Sequence, residues 1–246
     1  MPDHSMLYSK EVTDQTLKEL VEFITWYNKH VGHDPLIVGG WAAWAYHHGL
    51  GSKDIDVVFP AAPAMHVTLN QYFIANGYRE RKTAFFSYEF YKTRKTSGGR
   101  EVEVIVDAVA SDRRVIVGGT PITIPWGLAE KHKQRHEFGK DAQAWIIAPE
   151  LLLIYKIGAL IGRDHNLGLA RAFNFGRIQG KLWKDAQDIL GLTQNAEFNE
   201  EKLGSLLEES GLNDEKLLRQ AKSIALSYLE GKQATEFNAK WAEILE

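Results

Sequence analysis

The stretch LIVGGWAAWAYHHGLGSKDIDVVF, residues Leu36–Phe59, decides the fold of this 246-residue chain. Its pattern predicts a short buried strand that stops at Gly39 and Gly40, a short helix over Trp41–His48, and a second strand over Asp54–Phe59. Two glycines between a strand and a helix allow a tight turn and a close approach of the backbone to a ligand. The N–H groups of the helix's first turn then form a seat for phosphate. The same glycine pair is also typical of a simple turn.

Two aspartates on the second strand are the first candidate metal ligands. Side chains alternate along a strand, so Asp54 and Asp56 share one face while Ile55 and Val57 enter the core. Two carboxylates at that separation repel each other unless a cation lies between them, and their hard oxygen atoms suit Mg²⁺ or Mn²⁺. Asp-x-Asp taken alone is also typical of an exposed strand end.

A later strand supplies the candidate for a third carboxylate. In EVEVIVDAVA, residues Glu101–Ala110, alternation places Glu103 and Asp107 on the same face. Apolar neighbours enclose Asp107, which favours a buried position for it, whereas Glu103 is interpreted as a solvated position.

The pattern of apolar residues divides the chain near Ala148. Residues 1–148 combine helical segments with strands, and further strands are predicted over Lys82–Thr93, Arg114–Val117, Ile122–Ile124 and Ala144–Ile147. Residues 149–246 are predicted to be helical, with helices over Glu150–Arg163, Ile178–Leu190, Glu200–Glu209, Asp214–Leu229 and Thr235–Leu245. The expected fold class is α/β (α+β), with a mixed-sheet catalytic domain at 1–148 and an all-helical domain at 149–246 that completes a cleft.

Two charged residues of the helical half are candidates for the cleft. Lys156 is the one charge between Leu151 and Gly162, and Asp185 borders the apolar stripe of its own helix. One interpretation packs the lysine stem on the core while its ammonium reaches water. The other pairs Lys156 with Asp185 in the cleft, where the lysine neutralises phosphate charge and the aspartate orients it.

A long loop is predicted between these two helices, over Asp164–Arg177. The loop and its borders carry basic and aromatic residues, namely Arg163, Arg171, Phe173, Phe175, Arg177, Lys181 and Lys184. A solvated linker explains this composition. A mobile arm that contacts a triphosphate or a polyanionic acceptor explains it as well, because arginine binds phosphate with two parallel hydrogen bonds.

The order strand, Gly-Gly, helix and Asp-x-Asp strand resembles the signature of the polymerase-β-type nucleotidyltransferase superfamily. The Gly-Gly-Trp-Ala sequence that begins at Gly39 is similar to that of antibiotic nucleotidyltransferases acting on lincosamides and aminoglycosides. Families with Gly-Ser at this point gain a hydroxyl for phosphate, which Gly40 cannot supply. Ser52 lies near the aspartates but not at that motif position. The resemblance implies a nucleotidyltransferase fold, with Mg²⁺ or Mn²⁺ held by three carboxylates, here Asp54, Asp56 and Asp107. The superfamily pattern places the third carboxylate on a neighbouring strand between apolar residues, which Asp107 matches better than Glu103. It implies that this carboxylate bridges the catalytic metal and accepts, or helps to remove, the proton of an attacking hydroxyl.

A second resemblance covers the helical half. The segments PEL at 149–151, KIGALIGR at 156–163 and KDAQDI at 184–189 look like the C-terminal pattern of AbiEii-type nucleotidyltransferases, which include toxins of bacterial toxin–antitoxin systems. That pattern assigns Lys156 and Asp185 to the active site. The predicted loop of 164–177 is a departure from it. The nucleotide-binding residues expected from both resemblances are Gly39, Gly40, Ser52, Lys156 and Arg163.

The reaction implied is magnesium-dependent transfer of a nucleoside monophosphate from a nucleoside triphosphate such as ATP to an acceptor hydroxyl. The acceptor is expected to be a small molecule. One alternative is the same chemistry on tRNA or protein, as an AbiEii-like toxin would perform it. The other is a catalytically silent, nucleotidyltransferase-like binding module.

Composition excludes several other classes of protein. A formal net charge of −3 argues against a protein that coats nucleic acid non-specifically. With no cysteine, disulfides, thiolate zinc sites and cysteine nucleophiles are excluded. The N-terminal residues lack the pattern of a signal peptide, and the longest apolar run, Leu151–Gly162, is too short to span a bilayer. A cytoplasmic protein that does not bind a membrane is expected.

Overall fold

The strands of the molecule cluster in its first 147 residues. The structure is a computed structural model that describes residues 8–82, 88–96, 98–170 and 172–245. Its strands are β1 (Leu36–Val38), β2 (Asp54–Phe59), β3 (Arg79–Lys82), β4 (Tyr88–Lys95), β5 (Glu101–Ala110), β6 (Arg114–Ile116), β7 (Thr123–Pro125), β8 (Lys133–Glu137) and β9 (Gln143–Ile147). Within the described residues, seven of them form one mixed sheet in the order β3-β4-β5-β2-β1-β9-β8, and β6 and β7 form a separate hairpin.

Helices precede, interrupt and follow this sheet. They are α1 (Lys10–His30), α2 (Gly39–His47), α3 (Pro63–Ala75), α4 (Gly127–Lys131), α5 (Pro149–Gly168), α6 (Ala172–Asn195), α7 (Glu200–Ser210), α8 (Glu215–Leu226) and α9 (Lys232–Leu245). The expected order of a mixed sheet followed by a helical region is therefore present.

The centre of the sheet is built from the two strands that carry the candidate carboxylates. β2 pairs with β5 in parallel and with β1 in antiparallel orientation. β9 extends the sheet as the parallel partner of β1. A strand that is buried on both faces normally carries apolar residues on both faces. β2 departs from this pattern, because it carries Asp54 and Asp56. Such an exception in a central strand indicates a functional constraint.

Helix α5 connects the sheet to the helical region. Its first half is buried almost throughout and is apolar apart from Glu150 and Lys156. The helix packs against α6, α7 and α8. Helix α2 packs against both α5 and α6. One cluster of buried side chains runs through the sheet and these helices without a break. The division of the chain into domains at 148 remains a prediction.

Three local expectations differ from the structure. The long loop predicted over Asp164–Arg177 is wrong, because α5 continues to Gly168 and α6 begins at Ala172; Arg171 lies outside the described residues. The single strand predicted over Lys82–Thr93 is divided between β3 and β4, with residues 83–87 outside the described ranges. Strand β8 was not predicted, since its sequence KQRHE is polar throughout and acquires its form from pairing with β9.

No helix among the described residues is long and apolar enough to cross a membrane.

Candidate active site

The turn from β1 into α2 brings the backbone of Gly39 against the side chain of Asp56. Val38, the last residue of β1, pairs with Asp56 on β2, so the chain leaves the sheet beside that carboxylate. Gly39 has a φ of 64°, and a Cβ atom at this position would lie 2.7 Å from Asp56 Cγ. Only glycine tolerates both the left-handed backbone and the close approach. The position of a candidate metal ligand therefore requires the first of the two glycines.

Gly40 approaches Ser52 in a similar way. A Cβ atom on Gly40 would lie 2.7 Å from Ser52 Oγ, and Ser52 is buried. Helix α2 begins without a side-chain cap, so its first N–H groups have neither an intrahelical acceptor nor a capping oxygen. The phosphate seat predicted at this turn would thus combine the α2 N-terminus with a neighbouring serine hydroxyl.

Three carboxylates lie on the parallel strands β2 and β5. Asp56 and Asp107 are register partners across the pair, and Asp54 shares a strand face with Asp56. Asp54 is buried, and its Oδ1 has no hydrogen-bond partner within the described residues. A buried carboxylate oxygen without a donor is costly unless another ligand satisfies it.

The three carboxyl groups differ in pKa. Burial, followed by repulsion from Asp56 and Asp54, raises the pKa of Asp107 to about 7. Burial and Asp54 likewise raise the pKa of Asp56. Burial would also raise the pKa of Asp54, but the charges of Lys181 and Lys53 outweigh it, so that pKa is lowered. A cation among the three groups would relieve their mutual repulsion.

The chemistry of these residues fits a divalent cation, but their arrangement is not yet a complete site. The carboxylates, the unsatisfied Asp54 Oδ1 and the close glycine turn are suitable features. In the part of the chain that the structure describes, however, no three His, Asp or Glu side chains are close enough together to hold a metal ion. The ammonium group of Lys181, from α6, contacts Asp54 instead, with 3.1 Å between Nζ and Oδ2.

A second charged cluster lies across from the carboxylates, on α5 and α6. Lys156 Nζ is 2.9 Å from Asp185 Oδ1 and 2.7 Å from Asp188 Oδ2. Lys184 also contacts Asp188, and Arg163 contacts Asp185. The pairing of Lys156 with Asp185 that the sequence suggested is therefore present. The two residues meet because α5 and α6 follow each other closely in the chain, without the long loop that the sequence predicted.

Asp188 is the centre of this second cluster. Besides the two lysines, His47 of α2 reaches it, with 3.3 Å between Nε2 and Asp188 Oδ1. Burial would raise the pKa of Asp188, but Lys156 and Lys184 outweigh it and hold that pKa far below its usual value. Asp188 is therefore ionised and ties three helices together.

Both clusters face a cavity of about 200 Å³ between the sheet and the helices. Its lining includes the glycine turn and the aspartates. It also includes an apolar wall, in which Trp126 stacks on Tyr155 with 4.6 Å between ring centroids. The residues that line the cavity are Tyr8, Val38, Gly39, Gly40, Ser52, Asp54, Asp56, Val115, Trp126, Ile147, Leu152, Tyr155, Lys156, Ala159, Arg163, Lys181, Lys184, Asp185 and Asp188.

All the residues expected from the sequence line this cavity except Asp107, which lies beside Asp56 on the neighbouring strand. Glu103, the rejected alternative, is 45 % exposed and its Oε1 is 3.5 Å from Arg81 Nη2. Of the proposed basic arm, Phe175 and Arg177 are exposed. Arg171 and the side chain of Phe173 lie outside the described residues.

Sequence reasoning gave no role to three residues that line or brace the cavity, namely Tyr8, His47 and Asp188, and it named Lys181 only as part of the basic arm. For Lys181 and Asp188 a signal existed, because they lie on the same helical face as Lys184, three or four residues from it. Tyr8 and His47 are remote in sequence from their partners on α6, so no local pattern could indicate them.

Comparison with known proteins finds a likeness at the level of structure. No family model matches the chain, and no curated protein matches it. The structure is similar to a crystal structure described as an antigenic nucleotidyltransferase-like protein from Paracoccidioides brasiliensis. The TM-score is 0.47 at 14% identity, over 85% of this chain and 93% of that one. The function is therefore argued from the residues of this chain alone.

Proposed function

We propose that this protein is a nucleotidyltransferase that transfers a nucleoside monophosphate from a nucleoside triphosphate to an acceptor hydroxyl, with Mg²⁺ or Mn²⁺ held by Asp54, Asp56 and Asp107. The observation that carries the proposal is the register of β2 and β5 beside the glycine turn. It aligns Asp56 with Asp107, and the pairing of Asp56 with Val38 sets Asp56 next to the uncapped N-terminus of α2. Carboxylates for a cation and N–H donors for phosphate thus lie together.

The remaining residues of the cavity suit a bound triphosphate. Arg163, Lys156 and Lys184 outnumber Asp185 and Asp188 by one positive charge, which favours an anion at this wall. The N–H groups of α2 and the Ser52 hydroxyl would bind phosphate oxygens directly. Lys156 is held by two aspartates, so its ammonium would present charge from a fixed position.

Asp107 is the residue that would take the proton of the attacking hydroxyl. Burial and repulsion from Asp56 and Asp54 raise its pKa to about 7 in the metal-free protein. A bound cation would relieve that repulsion, so the ionised carboxylate would be available to accept a proton. A metal ion bound at the three carboxylates would supply the Lewis acidity that stabilises charge on the transferring phosphate. The apolar wall around Trp126 and Tyr155 would exclude water from the part of the cavity that it lines.

The proposal is tested by metal binding and by transfer. Calorimetry should show Mn²⁺ binding to the parent protein, and Asp54→Ala or Asp56→Ala should abolish it while circular dichroism shows the fold retained. Incubation with each α-labelled triphosphate, Mg²⁺ and cell extract should move label to an acceptor, whose size and sensitivity to ribonuclease or protease define its class. Asp107→Asn should lower this transfer at least about a hundredfold.

Glu103→Gln is the matched control, because Glu103 lies on the same face of β5 but is exposed. Its transfer rate should remain within a few-fold of that of the parent. Mn²⁺ binding that survives both Ala substitutions, or an absence of label transfer with every triphosphate, would refute the proposed function.

A further inference from the structure

Lys181 differs from the other lysines that line the cavity. Lys156 and Lys184 are 9% and 5% exposed, and both are held by Asp188. Lys181 is 25% exposed, and its ion pair within the described residues is the one with Asp54. A long side chain that is partly exposed and held by one carboxylate can change partners at little cost to itself, provided that another cation takes its place beside the buried charge of Asp54.

Lys181 contacts a carboxylate that the proposed metal would use. Its ammonium lies on Asp54 Oδ2, while Asp54 Oδ1 has no partner among the described residues. The same part of the molecule holds no ready set of three metal ligands. A cation is thus present at Asp54 already, and it comes from the protein itself.

We propose that Lys181 occupies the cation position at Asp54 in the metal-free protein, that the incoming metal displaces it, and that its ammonium then binds the phosphate chain of the nucleotide. This inference rests on the proposed function, since it requires a metal at Asp54. Lys181 would thus exchange one anionic partner, the Asp54 carboxylate, for another in the same site, the phosphate chain.

Electrostatics require the exchange. An ammonium group and a divalent cation on the same carboxylate would repel each other strongly at a separation of a few ångströms in a partly desolvated cavity. The lysine stem can rotate toward the cavity, which Lys181 already lines. A phosphate chain bound there offers the displaced ammonium new acceptor oxygens.

Competition has two measurable consequences. Metal alone must displace Lys181 from Asp54, so its affinity is lower than the carboxylates would otherwise give. A phosphate chain supplies the displaced ammonium with a new partner, so phosphate and metal favour each other's binding. Removing the ammonium of Lys181 should therefore strengthen the binding of metal alone and weaken the binding of a phosphate chain in the presence of metal.

Lys181→Met keeps the stem and removes the charge. Calorimetry with Mn²⁺ alone should give tighter binding than the parent by about three- to tenfold, because the competing cation is gone. Calorimetry with inorganic tripolyphosphate in excess Mg²⁺ should give binding weaker by about tenfold or more, because one charge-assisted contact is lost. Tripolyphosphate is the probe because it presents a phosphate chain without a nucleobase.

Two control variants separate competition from simpler effects. Lys53 precedes Asp54 in the chain and acts on it through its charge, so Lys53→Met measures the effect of removing a nearby positive charge. Lys202 pairs with the buried Glu150 at 2.8 Å outside the cavity, so Lys202→Met measures the loss of a comparable ion pair. The gain in Mn²⁺ affinity should be largest in Lys181→Met and absent in Lys202→Met.

Each outcome decides the matter. Equal gains in Mn²⁺ affinity in Lys53→Met and Lys181→Met would overturn the inference, because the loss of a nearby positive charge would then explain both gains. Unchanged tripolyphosphate binding in Lys181→Met would overturn the phosphate role. If the parent binds Mn²⁺ in a manner that Asp54→Ala abolishes, failure of the Lys181 variant leaves the proposed function standing. If neither the parent nor any variant binds Mn²⁺, the proposed function and the inference about Lys181 are both refuted.

Discussion

At the scale of single residues, the carboxylates of one site respond to their surroundings in opposite directions. Asp54 has a lowered pKa because Lys181 and Lys53 outweigh its burial. Asp107, in the next strand, has its pKa raised by burial and by the two other aspartates. Sequence alternation could place both on the site, but it could not foretell this difference, which depends on a lysine from α6.

The two substitutions Asp107→Asn and Asp54→Asn should therefore change stability with opposite sign. Asp107 has an ordinary pKa of 3.8 and a folded pKa of about 7, so in that window the folded chain keeps a proton that the unfolded chain loses. Stability then falls as pH rises. Removing the charge should stabilise the metal-free protein by about 2 kcal/mol near pH 8, a value discounted for partial exposure, and by less than half as much near pH 5, because the effect begins at the ordinary pKa.

Asp54→Asn should destabilise the protein near neutral pH, because the folded pKa of Asp54 is lowered and its ionised form is favoured by Lys181. That stabilisation is lost only on acidification below the usual pKa of a carboxyl. Urea unfolding of the parent and both variants in EDTA, at the two pH values, measures these differences. A destabilised Asp107→Asn near pH 8 would contradict the repulsion inferred here.

At the scale of elements, the sequence predicted what depends on local pattern. Strands β1, β2 and β5 have the expected bounds, since alternation and flanking glycines define them. The segment 164–177 was mistaken for a loop because its polar residues and two glycines hide the ends of α5 and α6, which pack on each other. The charged cluster around Asp188 was missed for a related reason: His47 and Asp188 meet only through the packing of α2 on α6.

The glycine turn offers a direct test at this scale. Gly39→Ala should destabilise the protein by about 1–2 kcal/mol from its left-handed backbone, and by more because the new methyl group displaces the Asp56 carboxylate. Mn²⁺ binding should be lost with it. Thermal melting and calorimetry measure the two effects separately.

Gly77→Ala is the matched control for Gly39→Ala. Gly77 has a φ of 78°, and a Cβ atom there would find nothing within 4 Å. Gly77→Ala should lower the free energy of unfolding only by the cost of the left-handed backbone, and its Mn²⁺ affinity should be unchanged. Equal melting temperatures together with equal Mn²⁺ affinities for the two variants would contradict the role given to Gly39.

At the scale of the whole molecule, the sheet and the helical region depend on each other. Trp41 and its alanine neighbours on α2 are buried, and α2 packs between the sheet and helices α5 and α6. The cavity likewise takes residues from both parts. The sequence pattern marked the change from strands to helices at 148, but it could not show that the apolar side chains on both sides form one cluster.

A fragment of residues 1–148 should therefore not fold stably by itself, because the apolar face of α2 would be exposed to water. It should bind a hydrophobic dye and exchange its amide protons rapidly. Co-expression with residues 149–246 should restore protection in both pieces. A protected, dye-free 1–148 fragment would instead support the division into two independent domains.

The place of β1 in the sheet has a further consequence, for the order of events during synthesis. β1 pairs with β2 on one side, but its other partner is β9, where Leu36 meets Trp145. A ribosome extends a chain at about 5–20 residues per second, so the LIV edge of β1 stays bare for roughly 5–20 s on every nascent chain. During that interval it is an open strand edge that other chains can pair with. Chaperones that shield emerging strands should therefore raise the yield of native protein most when they act before β9 leaves the exit tunnel.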